Sequence, residues 1–338
     1  MTESEVRHGR APSTRWRRVR IAAIALVSIL VLIVAAAGAF VLSLSSTIDN
    51  VDKIEQAFPE ESLRPPAAEP VDGNSAAQNI LLLGSDTRGS IGNDLSDTEG
   101  TRSDTMMIVH IPADRESVQV MSLMRDFWVE IPGHGSAKLN AAMSYGGVPL
   151  AVQTIEGIID SRIDHVMMVD FEGFKGVTDA LGGVTINNPT AFTTGNNSYA
   201  QGEIELNGEQ ALPFVRERYS FVDGDYTRVA NQQLFIKAVL AKVLSKDTLT
   251  SPAKISNLVS ALAPYVAVDN EFDSRYAASL GFELNEVRVS DVNFFTMPTL
   301  GTGTQGDQSV VNVNWDEVPK IQQAFKNDLL GEYVPPPE

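Results

Sequence analysis

Apolar residues are arranged along this chain in three ways, and each predicts a different kind of element. From Ile21 to Leu44 they form a nearly unbroken run, interrupted only by Ser28, Gly38 and Ser43. Its 24 residues exceed the roughly 20 that a helix needs to cross a bilayer. Beyond Asn79 the apolar residues come in short continuous runs. NILLLG from Asn79, TMMIVHI from Thr105, SVQVMSLM from Ser117, HVMMVDF from His165, VTINNP from Val184 and VNFFTMP from Val292 read as strands. Elsewhere the apolar positions recur at helical spacing. Pro149 opens a helix with Leu150, Val152, Ile155, Ile158 and Ile159 on its apolar face, and Phe174 to Leu181 predicts a helix closed by Gly182-Gly183. Val229, Ile236, Leu240 and Val243 form the stripe of another helix, and weaker patterns place helices at about Ala253–Leu262, Ser274–Leu284 and Asp316–Leu330. Strands alternating with helices imply an α/β sandwich with a mostly buried sheet. Between membrane run and sandwich, Pro65, Pro66 and Pro70 argue for an extended polar spacer. The expected organisation is a basic tail (1–20), a transmembrane helix (21–44), a stalk (45–78), one folded domain (79–331) and a loose tail (332–338).

Charge orients this arrangement. The 338 residues carry a net charge of −17, yet Arg7, Arg10, Arg15, Arg17, Arg18 and Arg20 all precede the apolar run. The positive-inside rule puts that tail in the cytoplasm and everything from Ser45 outside. A cleaved signal peptide usually has an apolar core of only about 7–15 residues, so a retained anchor is expected. Beyond residue 20 there are 20 basic and 41 acidic residues, which argues against nonspecific nucleic-acid binding. The absence of cysteine excludes disulfides and thiol chemistry.

Candidate chemistry concentrates between Phe214 and Lys237. FVRERY reads as a strand, which would put Arg216 and Arg218 on one face and Glu217 on the other. After Asp223-Gly224-Asp225 comes a helix, with Asp225 the expected N-cap and Arg228 and Gln232 four apart on one face. Forked guanidiniums at a helix N-terminus suit phosphate or pyrophosphate; the alternative is a set of surface charges paired with local acids. Asp86 follows the first strand and Asp104 opens the second. If those strands are antiparallel neighbours, both carboxylates reach one sheet end and suit Mg²⁺ (or Mn²⁺), although aspartates also commonly cap turns. Arg125, at the end of the third strand, would share that rim. His110 and His165 lie inside apolar strands and read as core. GxxxxGK[ST], GxSxG, HExxH and GxGxxG are all absent. Charge neutralisation around a phosphoryl group is the chemistry that remains.

Taken together, NILLLGSD ending at Asp86, RSDTM from Arg102, SLMRD from Ser122, KLNAA from Lys138, DFEGF from Asp170, LNGEQA from Leu206 and Arg216-x-Arg218…Asp225…Arg228…Gln232 resemble the LytR-CpsA-Psr (LCP) family in motif and order. The resemblance spans about Asn79 to Leu330; its one departure is a longer acidic loop between Asp86 and Asp104. It implies a three-layer α/β/α sandwich with a central mixed sheet, outside the membrane behind one transmembrane helix. It implies a phosphotransferase that moves a glycopolymer from a polyprenyl-pyrophosphate carrier onto peptidoglycan through a phosphodiester. By motif, Asp86 and Asp104 would hold the metal, and Arg125, Arg216, Arg218 and Arg228 would grip the pyrophosphate. Asp225 and Gln232 would orient the clamp. Asp104 and Asp225 both remain candidates to accept the proton. Pyrophosphate hydrolysis and a non-catalytic receptor for anionic lipid-linked polymers are the competing expectations.

Overall fold

A computed structural model describes residues 40–70, 75–85 and 103–336. The chain divides into two units, Met1–Ser46 and Thr47–Glu338. In the first, the described residues are helical, and the expected membrane segment from 21 to 39 lies outside the described residues. Among the described residues no helix is long and apolar enough to cross a membrane.

The second unit is a mixed α/β fold. Its strands are β1 (Asp52–Ile54), β2 (Gln78–Ser85), β3 (Ser103–Ile111), β4 (Val118–Leu123), β5 (Trp128–Ile131), β6 (Gly135–Lys138), β7 (His165–Asp170), β8 (Val184–Asn188), β9 (Phe192–Thr194), β10 (Asn197–Tyr199), β11 (Gly202–Leu206), β12 (Val266–Asp269), β13 (Val292–Thr296), β14 (Thr299–Gln305) and β15 (Gln308–Val313). Its α-helices are α1 (Ala141–Ile159), α2 (Phe171–Ala180), α3 (Gly208–Arg216), α4 (Gly224–Val243), α5 (Lys246–Leu249), α6 (Pro252–Leu262), α7 (Ser274–Glu283) and α8 (Val318–Lys326). Seven strands form the central sheet in the order β1-β12-β7-β2-β3-β4-β13. β2 pairs antiparallel with β3 and parallel with β7, so the sheet is mixed.

Helices cover both faces because the central strands are apolar on both sides. Leu81, Leu83, Met106, Ile108, Met121 and Leu123 pack with α1 and α8. Their neighbours Met107, Val118 and Val120 face the other way, with Ile236 and Leu240 of α4 packed against them. This period-2 division is the strand geometry expected of a sheet buried on both faces. α1 is kinked at Gly146 and Gly147, and Pro149 stands in the first turn after the kink, where a missing N–H costs nothing.

Two expectations fail here. The spacer is not extended throughout: Asp52–Ile54 is an edge strand of the sheet, and Ile54 and Ala57 are core. Arg64 locks the segment down through a bidentate ion pair with Glu156, at 2.8 and 3.1 Å, in which both side chains are almost wholly buried. FVRERY is not a strand either. Asn207 and Gln210 form a reciprocal capping box, and the helix it starts runs through Arg216 before Glu217 turns extended. Phe214 and Val215, adjacent in sequence, are both fully buried, which a helix packed on two sides permits and a half-exposed strand does not. His110 and His165 are core, as expected. His110 lies between Asn79 and Asp328, and His165 against Asp269.

Candidate functional site

Sheet register gathers the candidate residues at one end. Ser85, the last residue of β2, pairs with Ser103 of β3 and with Asp170 of β7. Met106 pairs with Leu123 and Ser122 with Thr296, so β4 and β13 finish at the same end. Arg125 lies just beyond β4. Asp86 lies outside the described residues, as does the side chain of Asp104; the backbone of Asp104 is in β3, one residue from Ser103. The antiparallel pairing that the metal reading needs is therefore present. Both buried histidines lie toward the opposite end, and Ser103 Oγ donates to backbone carbonyls of Gly84 and Thr105, so neither supplies a serine–histidine pair here.

Two acids organise the cations. Asp126 accepts from Arg125 Nε at 3.3 Å and pairs with Lys138 Nζ at 2.9 Å. Lys138 arrives because the β5–β6 hairpin folds back: Leu139 N donates to Phe127 O and Asn140 N to Arg125 O. Burial alone would raise the Asp126 carboxyl. The Lys138 hydrogen bond and the charges of Arg125, Lys138 and Arg228 outweigh it and hold the group below the ordinary aspartate value.

Asp225 is the second organiser. Helix α4 begins two residues earlier than expected, with Asp223 at the N-cap and Asp225 inside the first turn. Thr227 Oγ1 donates to Asp223 Oδ1 at 2.6 Å, which leaves Asp225 to the arginines. Arg228 Nη2 lies 2.9 Å and Arg218 Nη1 3.6 Å from its Oδ1. The close contact is off-axis: neither this Oδ1 nor the buried Nε of Arg228 completes a hydrogen bond among the described residues. Arg228 and Gln232 are both buried, on one face of α4 as their spacing predicts. Arg218 is about one-third exposed. Its Nη2 donates to Tyr219 Oη at 2.6 Å and its guanidinium lies over the Tyr219 ring. Gly224 permits this approach, since a Cβ there would stand 2.8 Å from the Arg218 carbonyl oxygen. Arg216 is exposed on the last turn of α3, and because the helix ends there and Arg218 lies in the following loop, the two do not share a strand face.

Beside Arg218 and Asp225 runs an open groove of about 1220 Å³. Phe221, Tyr226, Phe295, Met297 and Pro298 supply apolar lining, and Pro335 and Pro336 of the C-terminal tail reach it. At its base Gln233 Nε2 donates to Ser122 Oγ at 2.8 Å and to Thr296 Oγ1 at 3.2 Å. The sequence reading missed the pairing of Asp126 with Lys138, and Asp170, which is buried at the same sheet end. An acid closing an apolar strand run, as in HVMMVD, was the available signal for Asp170. Nothing local signals that Lys138 meets Asp126 across a hairpin. Among the described residues no cluster of three or more His, Cys, Asp or Glu side chains is arranged to hold a metal.

Comparison with known proteins adds to this geometry. The LytR_cpsA_psr family model matches residues 40–327. The chain is 33% identical over 261 residues to the polyisoprenyl-teichoic acid–peptidoglycan teichoic acid transferase TagU of Enterococcus faecalis, covering 76% of this chain and 81% of that protein. It is 31% identical over 313 residues to the cell wall biosynthesis protein LcpA of Corynebacterium glutamicum, covering 79% of this chain and 58% of LcpA. Among solved structures, B. subtilis TagV superposes with a TM-score of 0.62 at 23% identity, covering 77% of this chain and 98% of TagV. TagT bound to LI-WTA superposes with a TM-score of 0.60 at 23% identity, covering 83% of this chain and 99% of that one.

Proposed function

Because the chain belongs to the LytR_cpsA_psr family, we propose that it is a membrane-anchored, extracytoplasmic phosphotransferase that moves a glycopolymer from a polyprenyl-pyrophosphate carrier onto peptidoglycan. The observation that carries this reading is the convergence of Arg125, Arg218 and Arg228 on Asp126 and Asp225 at one sheet end, beside a groove with an apolar lining. A ligand that suits both features is an anion joined to an apolar chain. The name of the TagU relative, a polyisoprenyl-teichoic acid–peptidoglycan teichoic acid transferase, points to the same substrate class.

In this reading Arg218 and Arg228 bind the two phosphates, with Asp225 fixing the spacing of their guanidiniums. Arg125 approaches from the β4 side, aligned by Asp126 and Lys138; Arg216 and Gln232 complete the set that the family motif assigns. An acceptor hydroxyl oxygen forms a new bond to the phosphorus next to the glycopolymer. The bond from that phosphorus to the bridging oxygen breaks, and polyprenyl monophosphate leaves with its charge held by the arginines. The hydroxyl proton passes to a carboxylate; Asp225 is engaged by two guanidiniums, which favours Asp104 for that part. The register of Ser85 with Ser103 fits Asp86 and Asp104 as oxygen ligands of Mg²⁺. When bound, the ion would supply neutralisation of phosphate charge.

The test is direct. The full chain in detergent is incubated with a short polyprenyl-pyrophosphoryl sugar and a peptidoglycan fragment, with Mg²⁺ or with chelator, and products are followed by mass spectrometry. Sugar phosphate on the fragment, lost with chelator and in Arg218→Ala, is the expected result. Free sugar phosphate alone would indicate hydrolysis. Tight binding without product would indicate a receptor.

A further inference from the structure

The groove has a rim that folding leaves out of the core. Tyr219 is 84% exposed, Leu300 67%, and Val222 is fully exposed. All three line the same groove, from two different segments: the loop between α3 and α4, and strand β14. Isolated exposed apolar residues are ordinary, but three at one mouth are not. They stand beside Arg218, with the Tyr219 ring directly under its guanidinium. Arg216 is exposed two residues before it. Here Arg216, Arg218 and Arg228 are set against Asp223 and Asp225, a basic balance on a chain that carries 20 basic against 41 acidic residues beyond residue 20.

Aromatic and aliphatic side chains with adjacent arginines are what the headgroup region of an anionic bilayer attracts. We propose that the rim formed by Tyr219, Val222 and Leu300 rests in the surface of an anionic lipid bilayer, so that the groove opens at the headgroups. The inference rests on the anchored reading above, because the folded unit starts at Thr47, three residues after the apolar run ends at Leu44. Phe282 on α7, 78% exposed, has Glu283 and Glu286 near it in sequence and lies off the groove. It is poorly suited to an anionic surface.

The chain has no cysteine, so single-cysteine labels report cleanly. The full chain would carry an environment-sensitive fluorophore at Val222→Cys, Leu300→Cys, Phe282→Cys or Glu116→Cys, the last in the β3–β4 turn away from the site end. Each protein would be placed in nanodiscs of phosphatidylglycerol or of phosphatidylcholine, with and without lipids carrying a shallow nitroxide quencher. Labels at 222 and 300 are expected to brighten roughly twofold or more in the anionic discs and to be quenched, while those at 282 and 116 stay as in detergent. Solvent-like emission at 222 and 300 in the discs overturns the proposal. So does an equal response in phosphatidylcholine, or a response in detergent that grows with protein concentration, which marks a contact between copies. The transfer assay on the protein labelled at Glu116→Cys, away from the groove, separates the two ideas. Transfer by that protein with solvent-like emission at 222 and 300 removes the surface inference alone, and lipid-immersed labels at 222 and 300 without transfer by it remove the transferase reading alone.

Discussion

Arg64 and Arg218 are the same side chain put to opposite uses. Arg64 is 4% exposed, bound in bidentate fashion to a buried Glu156, donating also to the Ile163 carbonyl and stacked over Phe58. Its guanidinium is enclosed, and the result is mechanical: a segment far from α1 in sequence is fastened to it. Arg218 is 32% exposed, touches Asp225 only at 3.6 Å, and lines the groove. An enclosed fork stabilises a fold and has little left to offer a ligand. A fork held at one side and open at the other is ready to meet an anion.

The sharpest break in this comparison is to remove each partner in turn. Glu156→Ala leaves Arg64 buried without its carboxylate and should cost about 3–5 kcal/mol of stability, read as a lowered midpoint in denaturant. The transfer rate per folded molecule should hardly change. Arg218→Ala should do the reverse. Losing a donor to transition-state charge is expected to lower transfer by about 10²–10³-fold. Unfolding should shift by less than about 1 kcal/mol, since the Asp225 contact is long and partly solvated. Equal effects of the two substitutions on both readouts would erase the distinction.

A subtler variant tests whether position matters apart from charge. Gly224→Ala keeps every arginine but places a Cβ 2.8 Å from the Arg218 carbonyl oxygen. The loop must move, and a fall in transfer of about 10-fold with binding charge intact is expected. Full activity in this variant would mean that Arg218 tolerates displacement.

The smallest effect is acid sensitivity. Asp126 and Asp269 are buried and Asp328 partly so, which alone would raise them. Hydrogen bonds and charges from Lys138, His165 and His110 respectively, with their neighbours, hold all three low. Folded pKa values below the unfolded value of about 4 mean that their stabilisation is complete above that pH and is lost as pH falls through the folded values. Asp164, raised by burial, works in the opposite sense. Thermal unfolding should therefore be flat from about pH 7 to 5 and weaken below about pH 4. A decline already complete at pH 5 would contradict these pairings.

Much of this protein was legible in the pattern of residues. The apolar runs from Asn79, Thr105, Ser117 and His165 are inner strands of the central sheet because an apolar run buried on both faces has few other uses, and the run from Val292 is an edge strand of that sheet. The i, i+4 spacing of Arg228 and Gln232 placed them on one face of α4. Local rules failed where short signals competed. The six residues of FVRERY fit a strand, but the capping box upstream commits the first three to a helix that ends at Arg216, so Arg216 and Arg218 part company. Val266–Asp269 and Asp52–Ile54 are too short to stand out, yet the sheet recruits both. Sequence by itself determined the class of fold, the membrane-length apolar run, the families of charged residues and the family to which the chain belongs. Only the tertiary structure decided that Lys138 answers Asp126, that Asp225 ties Arg218 to Arg228, and that Gly224 brings the Arg218 loop close. Each is a contact between separate elements, set by how hairpins and helices pack, and no local periodicity encodes it.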